Sequence, residues 1–223
     1  MKTKQANLAI LLMIVANLVY GGVLYAKLPP IIATHWDVNM HPNGWGSKWT
    51  TVILLPSVTL IFLVMLNLLP RLNTRGLSIE PFLPTFNLLM VVAAAYMTFV
   101  SVLLLEFPLH PGLPFGKLLM TGVLVLFGIL GNFFGKLRRN PWIGIRTPWT
   151  LASDTVWIAT HRFAARLTVI ASLIGIAVVW VGAPIWTAIA LILGVSLAAA
   201  IYSYLIARRD EGLHPSGAKG HQP

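Results

Sequence analysis

The sequence predicts an all-α, polytopic membrane protein with six transmembrane helices and both termini in the cytoplasm. Three observations carry that reading. Of the 223 residues, 57% are hydrophobic and only 10% charged, with a mean hydropathy of +0.80. Soluble domains carry about 25% charged residues, so this composition cannot clothe a water-facing surface, and it excludes both a disordered chain and a soluble α/β enzyme. The apolar residues also fall into six uncharged stretches close to the roughly 20 residues a bilayer-spanning helix requires. Finally, the Lys and Arg residues gather in alternate loops.

The stretches cover residues 8–26, 50–69, 82–105, 118–135, 167–183 and 184–207. The first follows Lys2 and Lys4 as a signal peptide would, but its apolar core is too long and Tyr25-Ala26-Lys27 offers no small-x-small cleavage site, so it reads as a retained anchor. The last two meet at Gly182-Ala183-Pro184, which punctuates the run and permits a tight helical hairpin. With six spans, Lys2, Lys4, Arg71, Arg75, Lys136, Arg138, Arg139, Arg146, Arg162, Arg166, Arg208, Arg209 and Lys219 share one side, and only Lys27, Lys48 and Lys117 the other. The positive-inside rule then assigns the first side to the cytoplasm. The net charge of +10 thus reports topology and contact with lipid, and calls for no direct nucleic-acid partner. Trp49, Trp186, Tyr202 and Tyr204 suit interfacial belts.

The chain divides into an N-terminal two-helix unit with an outer loop over 1–70, a four-helix region over 71–209, and a polar tail over 210–223 expected to be disordered. The absence of cysteine removes disulfides, thiol nucleophiles and thiolate metal sites. No cofactor is called for.

In the outer loop, Pro29 and Pro30 stop the first helix, residues 33–37 read as a short extended segment, and Asn43-Gly44 with Gly46 reads as the turn. His35, Asp37 and His41 offer nitrogen and oxygen ligands of the kinds zinc takes, although their spacing matches no helical metalloprotease motif. Packing and local hydrogen bonding of His35 is the competing account.

The loop between spans four and five is the most informative. Lys136, Arg138 and Arg139 directly follow a span and read as a stop-transfer anchor on anionic lipid. Arg146, framed by Trp142, Gly144, Pro148 and Trp149, either clamps the loop to a carboxylate or backbone carbonyls or binds an anionic or peptide ligand. On this reading Arg146→Lys costs more than Arg139→Lys. Ser153-Asp154 marks a helix start. Helical spacing places Val156, Trp157, Thr160, Phe163, Ala164 and Leu167 on one side and Asp154, His161, Arg162 and Arg166 on another. The result is an interfacial helix leading into span five, on which His161 is a structural residue or a proton-transfer group. Glu106 and His110 belong to an exposed, proline-rich outer loop.

The stretch from Asn140 through Gly144-Ile145-Arg146-Thr147-Pro148-Trp149 to Trp157 and His161 resembles the signature of SdpI-type bacterial immunity proteins. The outer loop, with Leu28-Pro29, His35 and Pro42 to Lys48, resembles the uncharacterised domain that commonly precedes that signature. The resemblance implies a protein of the bacterial cytoplasmic membrane that protects its host from a secreted membrane-active peptide toxin. It also implies a receptor that holds a small winged-helix repressor at the membrane. The residues it marks are His35 and Lys48 outside, and Asn140, Gly144, Arg146, Thr147, Pro148, Trp149, Trp157 and His161 inside. Trp45 joins them as exposed aromatic surface for a peptide. Such a role needs no catalysis. The competing function is a metal-dependent membrane hydrolase using His35, Asp37 and His41.

Overall fold

The computed structural model describes residues 1–72 and 77–213. Arg75 and the tail from 214 onward, including Lys219, lie outside the described residues. Six helices in the described chain are long and apolar enough to cross a membrane. They are α1 (Thr3–Leu24), α2 (Lys48–Leu68), α3 (Leu83–Glu106), α4 (Phe115–Phe134), α6 (Asp154–Trp180) and α7 (Ile185–Leu213), with a short α5 (Pro148–Ala152) between the fourth and fifth spans. The six-span, all-α class is therefore as the composition requires.

The helices pack as two groups. α1, α2 and α3 lie against one another, α4, α6 and α7 do the same, and α3 meets α4 between them. Small residues set the close approaches in the second group, since lipid supplies no hydrophobic drive between helices and van der Waals contact must do so instead. A side chain at Gly175 of α6 would meet Leu124 of α4 at 2.9 Å. Side-chain amides join the first group near Met1. Asn7 of α1 and Asn67 of α2 donate to each other at 3.1 and 2.7 Å, and Asn87 of α3 donates to the Met1 carbonyl and the Thr3 hydroxyl.

Two local readings need correction. The expected interfacial helix is not separate from span five. Ser153 does cap the helix, its hydroxyl accepting from the Val156 N–H, but from Asp154 the helix runs unbroken for 27 residues, about 40 Å at 1.5 Å per residue. Its first turns are packed into the bundle, and His161 lies on the buried face with Trp157, Thr160 and Ala164, because positions 157, 161 and 164 share one helical stripe.

The outer loop is a β-hairpin of β1 (Ile31–Trp36) and β2 (Pro42–Ser47). Its turn is Asp37 to His41, and Asn43-Gly44 and Gly46 lie within β2. The Asp37 carboxylate makes this turn by accepting the Asn39 and His41 N–H groups at 2.8 and 2.9 Å. Those bonds, that from His41 foremost, hold its carboxyl below the usual carboxylate range. Gly44 is required for close approach instead, since a Cβ there would stand 2.9 Å from that of His35.

The inner face of the hairpin seats on the helix ends. Ile32 is buried with Leu28, Val52 and Leu105, and Trp36 stacks on Phe115 at 4.2 Å with Phe107 edge-on. Nearby, Glu106 is not simply exposed: it accepts a hydrogen bond from the Tyr20 hydroxyl and pairs with His110 Nδ1 at 2.8 Å.

Replacing Gly175 by Leu should overpack the α4–α6 seam and cost about 1–3 kcal/mol. The same change at Gly194, where nothing lies within 4 Å of a Cβ, should be nearly neutral. Thermal unfolding of the purified variants in detergent checks the difference.

Candidate functional site

The residues singled out in the sequence fall into two groups at opposite ends of the bundle. α4 connects them, starting where Phe115 stacks on the hairpin and ending at the signature loop. Its 20 residues separate the ends by about 30 Å.

The signature loop, residues 137–153, is an irregular backbone held by its own side chains. Asn140 is fully buried and uses all of its hydrogen-bonding capacity. Its Oδ1 accepts the Trp142 and Ile143 N–H groups, both at 2.9 Å, while its Nδ2 donates to the Arg138 and Ile143 carbonyls. Gly144 then turns the chain with φ of +114°, a conformation that L side chains rarely adopt. A Cβ at this position would fall on His161 Nε2 and within 3.2 Å of the Trp157 ring, so glycine is required twice over.

His161 completes the junction. Its Nε2 accepts the Ile145 N–H at 3.0 Å and its Nδ1 lies 2.8 Å from the Trp157 carbonyl. An acceptor at Nε2 places the proton on Nδ1, so these bonds demand the neutral imidazole in one tautomer. The ring stacks on Trp157 at 4.0 Å, whose own indole N–H donates to the Leu137 carbonyl.

Beyond Ile145 the loop enters α5. Thr147 caps it by accepting the Thr150 N–H, and Pro148 occupies the first turn, where a missing N–H costs nothing. The buried Thr150 hydroxyl donates to the Ile145 carbonyl at 2.8 Å and accepts from the Thr147 N–H. Trp149 reaches α7, donating to Ser203 Oγ at 2.6 Å with Tyr204 edge-on.

Arg146 is largely exposed and donates from Nη1 to the Pro141 carbonyl at 2.7 Å, the backbone-carbonyl arm of its two readings. Arg139 is the residue that sequence reasoning missed. Its Nη1 donates to the Leu151 and Ala152 carbonyls, both at 3.0 Å, and its Nε lies 2.9 Å from Asp154 Oδ1. It thus holds the end of α5 against the start of α6, a role unavailable to a simple topology charge. Nothing in the run Lys136-Leu137-Arg138-Arg139 signals it, because Asp154 is 15 positions away and only the folded loop brings it near.

At the hairpin end, His35 bonds the Asn43 amide oxygen across the strands, while Asp37 pairs with His41 at 3.5 Å. The structure does not gather His35, Asp37 and His41 around one point: the first faces its cross-strand partner and the other two close the turn. Among the described residues no three His, Asp or Glu side chains gather to hold a metal. Lys48 latches the foot of the hairpin: its Nζ donates to the Tyr25 and Leu28 carbonyls at 2.9 and 3.2 Å and sits over the Tyr25 ring. Trp45 stands out from β2, 63% exposed, with Ile31 at 63% and Trp49 at 61%.

Residues 136–206 match the SdpI/YfhL protein family, and residues 12–60 match a domain of unknown function (DUF1648). The first holds the whole signature loop with α6 and most of α7, and the second holds the hairpin. The chain is similar to a protein of Bacillus subtilis (strain 168) named Immunity protein SdpI, with 29% identity over 170 residues, 76% of this chain and 79% of that protein. No solved structure matches.

Gly144→Ala should be the most damaging single-methyl change in the loop, costing about 2–4 kcal/mol from backbone strain and overlap with His161. Gly112→Ala, with open space around it, is the control, and detergent-solubilised yield with thermal unfolding reads the effect. Loss of carbonyl and carboxylate partners together should make Arg139→Gln more destabilising than Arg146→Gln by about 1 kcal/mol, the reverse of the ranking expected from sequence.

Proposed function

We propose that this chain, whose residues 136–206 match the SdpI/YfhL protein family, is a multi-pass immunity protein of a bacterial membrane that protects against a secreted, membrane-active peptide toxin. The observation that carries this reading is the hairpin. With Ile32 and Trp36 seated inward and Lys48 latching its foot, it presents Ile31 and Trp45 outward, and Trp49 stands exposed beside it at the start of α2. Aromatic side chains in such a setting give a hydrophobic peptide large contact area at low entropic cost. His35, also exposed, adds a polar contact.

In this proposal the hairpin of the 1–70 unit faces outward, and the signature loop and both termini lie in the cytoplasm, as the uneven division of Lys and Arg requires. The second part of the proposal is relay to a winged-helix repressor on the cytoplasmic side. Asn140, Gly144, Thr147, Pro148, Trp149, Trp157 and His161 serve it by fixing the loop to α6 and α7, so that movement of either helix is carried to the loop surface where Arg146 stands. No reaction chemistry is needed.

Expression in a host sensitive to an amphipathic membrane-active peptide should raise survival, and chelators should leave the protection intact. Trp45→Ala should lower protection while membrane insertion stays normal; protection unchanged by both Trp45→Ala and Trp49→Ala would remove the hairpin from the account. Since the chain has no cysteine, single Cys substitutions at Asn43 and Arg209 test orientation directly. An impermeant maleimide should label the first in intact cells and the second only after permeabilisation.

A further inference from the structure

A cavity of about 350 Å³ lies among α3, α4, α6 and α7 at the signature-loop end, within the range of ligand-sized pockets. Leu89 and Ala93 of α3, Phe127 of α4, Ala164 of α6 and Val195 of α7 form its walls, and the backbone from Ile143 to Ile145 forms its floor. Its walls are almost entirely apolar. The Ser196 hydroxyl on one wall is already donated to the Ile192 carbonyl of its own helix, so water would find few of the two to four polar partners it needs. α3 and α7 both line it yet do not form a packed pair among the described residues.

The floor leads directly to an unneutralised cation. Arg146 follows Ile145 in the chain, and Trp149, three residues on, is anchored to Ser203 of α7, so Arg146 lies along the backbone between the cavity floor and the contact with α7. One of its five N–H groups goes to the Pro141 carbonyl, and the others have no protein partner among the described residues. No acid occurs between Leu137 and Ser153, and Asp154 is held by Arg139. Arg208 and Arg209 follow Ser203 within two turns of α7 and add positive potential.

We propose that this cavity is a site for an anionic phospholipid, one acyl chain lying among α3, α4, α6 and α7 and the phosphate meeting the guanidinium of Arg146. Basic pockets between transmembrane helices at the membrane surface take anionic head groups, and a forked guanidinium suits phosphate geometry. A lipid also brings its chain and its phosphate to this place together, which a free phosphate cannot do. The site is independent of the immunity reading.

The test uses the full chain purified in detergent, with phosphatidylglycerol, phosphatidylcholine of the same acyl chains, and glycerol 3-phosphate as probes. Native mass spectrometry should show phosphatidylglycerol retained, and thermal unfolding should rise with that lipid alone. Arg146→Gln should weaken phosphatidylglycerol binding about tenfold, as loss of a charge-assisted contact implies, whereas Lys117→Gln, at the opposite end of α4, should change it little. Ala199→Phe should fill the cavity and expel the chain; Ser196→Phe, on the partly open α7 wall, serves if the first does not fold. Equal stabilisation by phosphatidylcholine, an equal effect of glycerol 3-phosphate, or undiminished binding to Arg146→Gln would each overturn the proposal. So would displacement of the lipid by an apolar peptide that binds the same cavity more tightly.

Discussion

A backbone polar group near hydrocarbon must find its partner inside the protein, and the signature loop is built around that constraint. It is non-helical where it leaves α4 and again at Gly144, yet it packs against a core that includes Trp157, Phe86 and Ile10. Its carbonyl and N–H groups are met by Asn140, Thr150, His161 and Arg139. Each of these side chains offers more than one bond in a fixed geometry. That explains why polar residues with stiff or planar heads populate a stretch between two apolar helices.

The same core joins the two ends of the chain. Leu137 and Trp157, from the loop and α6, pack with Ala6 and Ile10 of α1, Leu66 of α2 and Phe86 of α3. The hairpin rests on the far ends of α1, α2, α3 and α4. α1, α2 and α3 each contribute to the packing at both ends, to the core under the hairpin and to the core around Trp157. Packed interiors transmit shifts because they hold few voids, and the proposed relay asks for no more than this.

Some local features were open to sequence reasoning because they depend on neighbours in the chain. The cap at Ser153 and the stop at Gly182 to Pro184 are of this kind. The hairpin turn was misplaced because Asn-Gly is a strong turn signal, whereas here the glycines answer to His35 and Thr34 across the strands and Asp37 makes the turn. Helical spacing groups His161 with Asp154, Arg162 and Arg166, and only the approach of Ile145 gives it a buried partner.

By itself the sequence determined the class, the number of spans and the location of the two informative loops, because hydropathy and the segregation of charge act along the chain and do not depend on which helix meets which. It also marked Gly144, Thr147 and Pro148, whose conformational demands are local. Only the tertiary structure decided which polar groups are partners: Arg139 with Asp154, Lys48 with the end of α1, Trp149 with Ser203, His161 with Ile145. Those bonds join residues from 15 to 54 positions apart, and their formation depends on helices already packed, since the desolvated carbonyl or N–H that makes each one favourable does not exist in the unpacked chain.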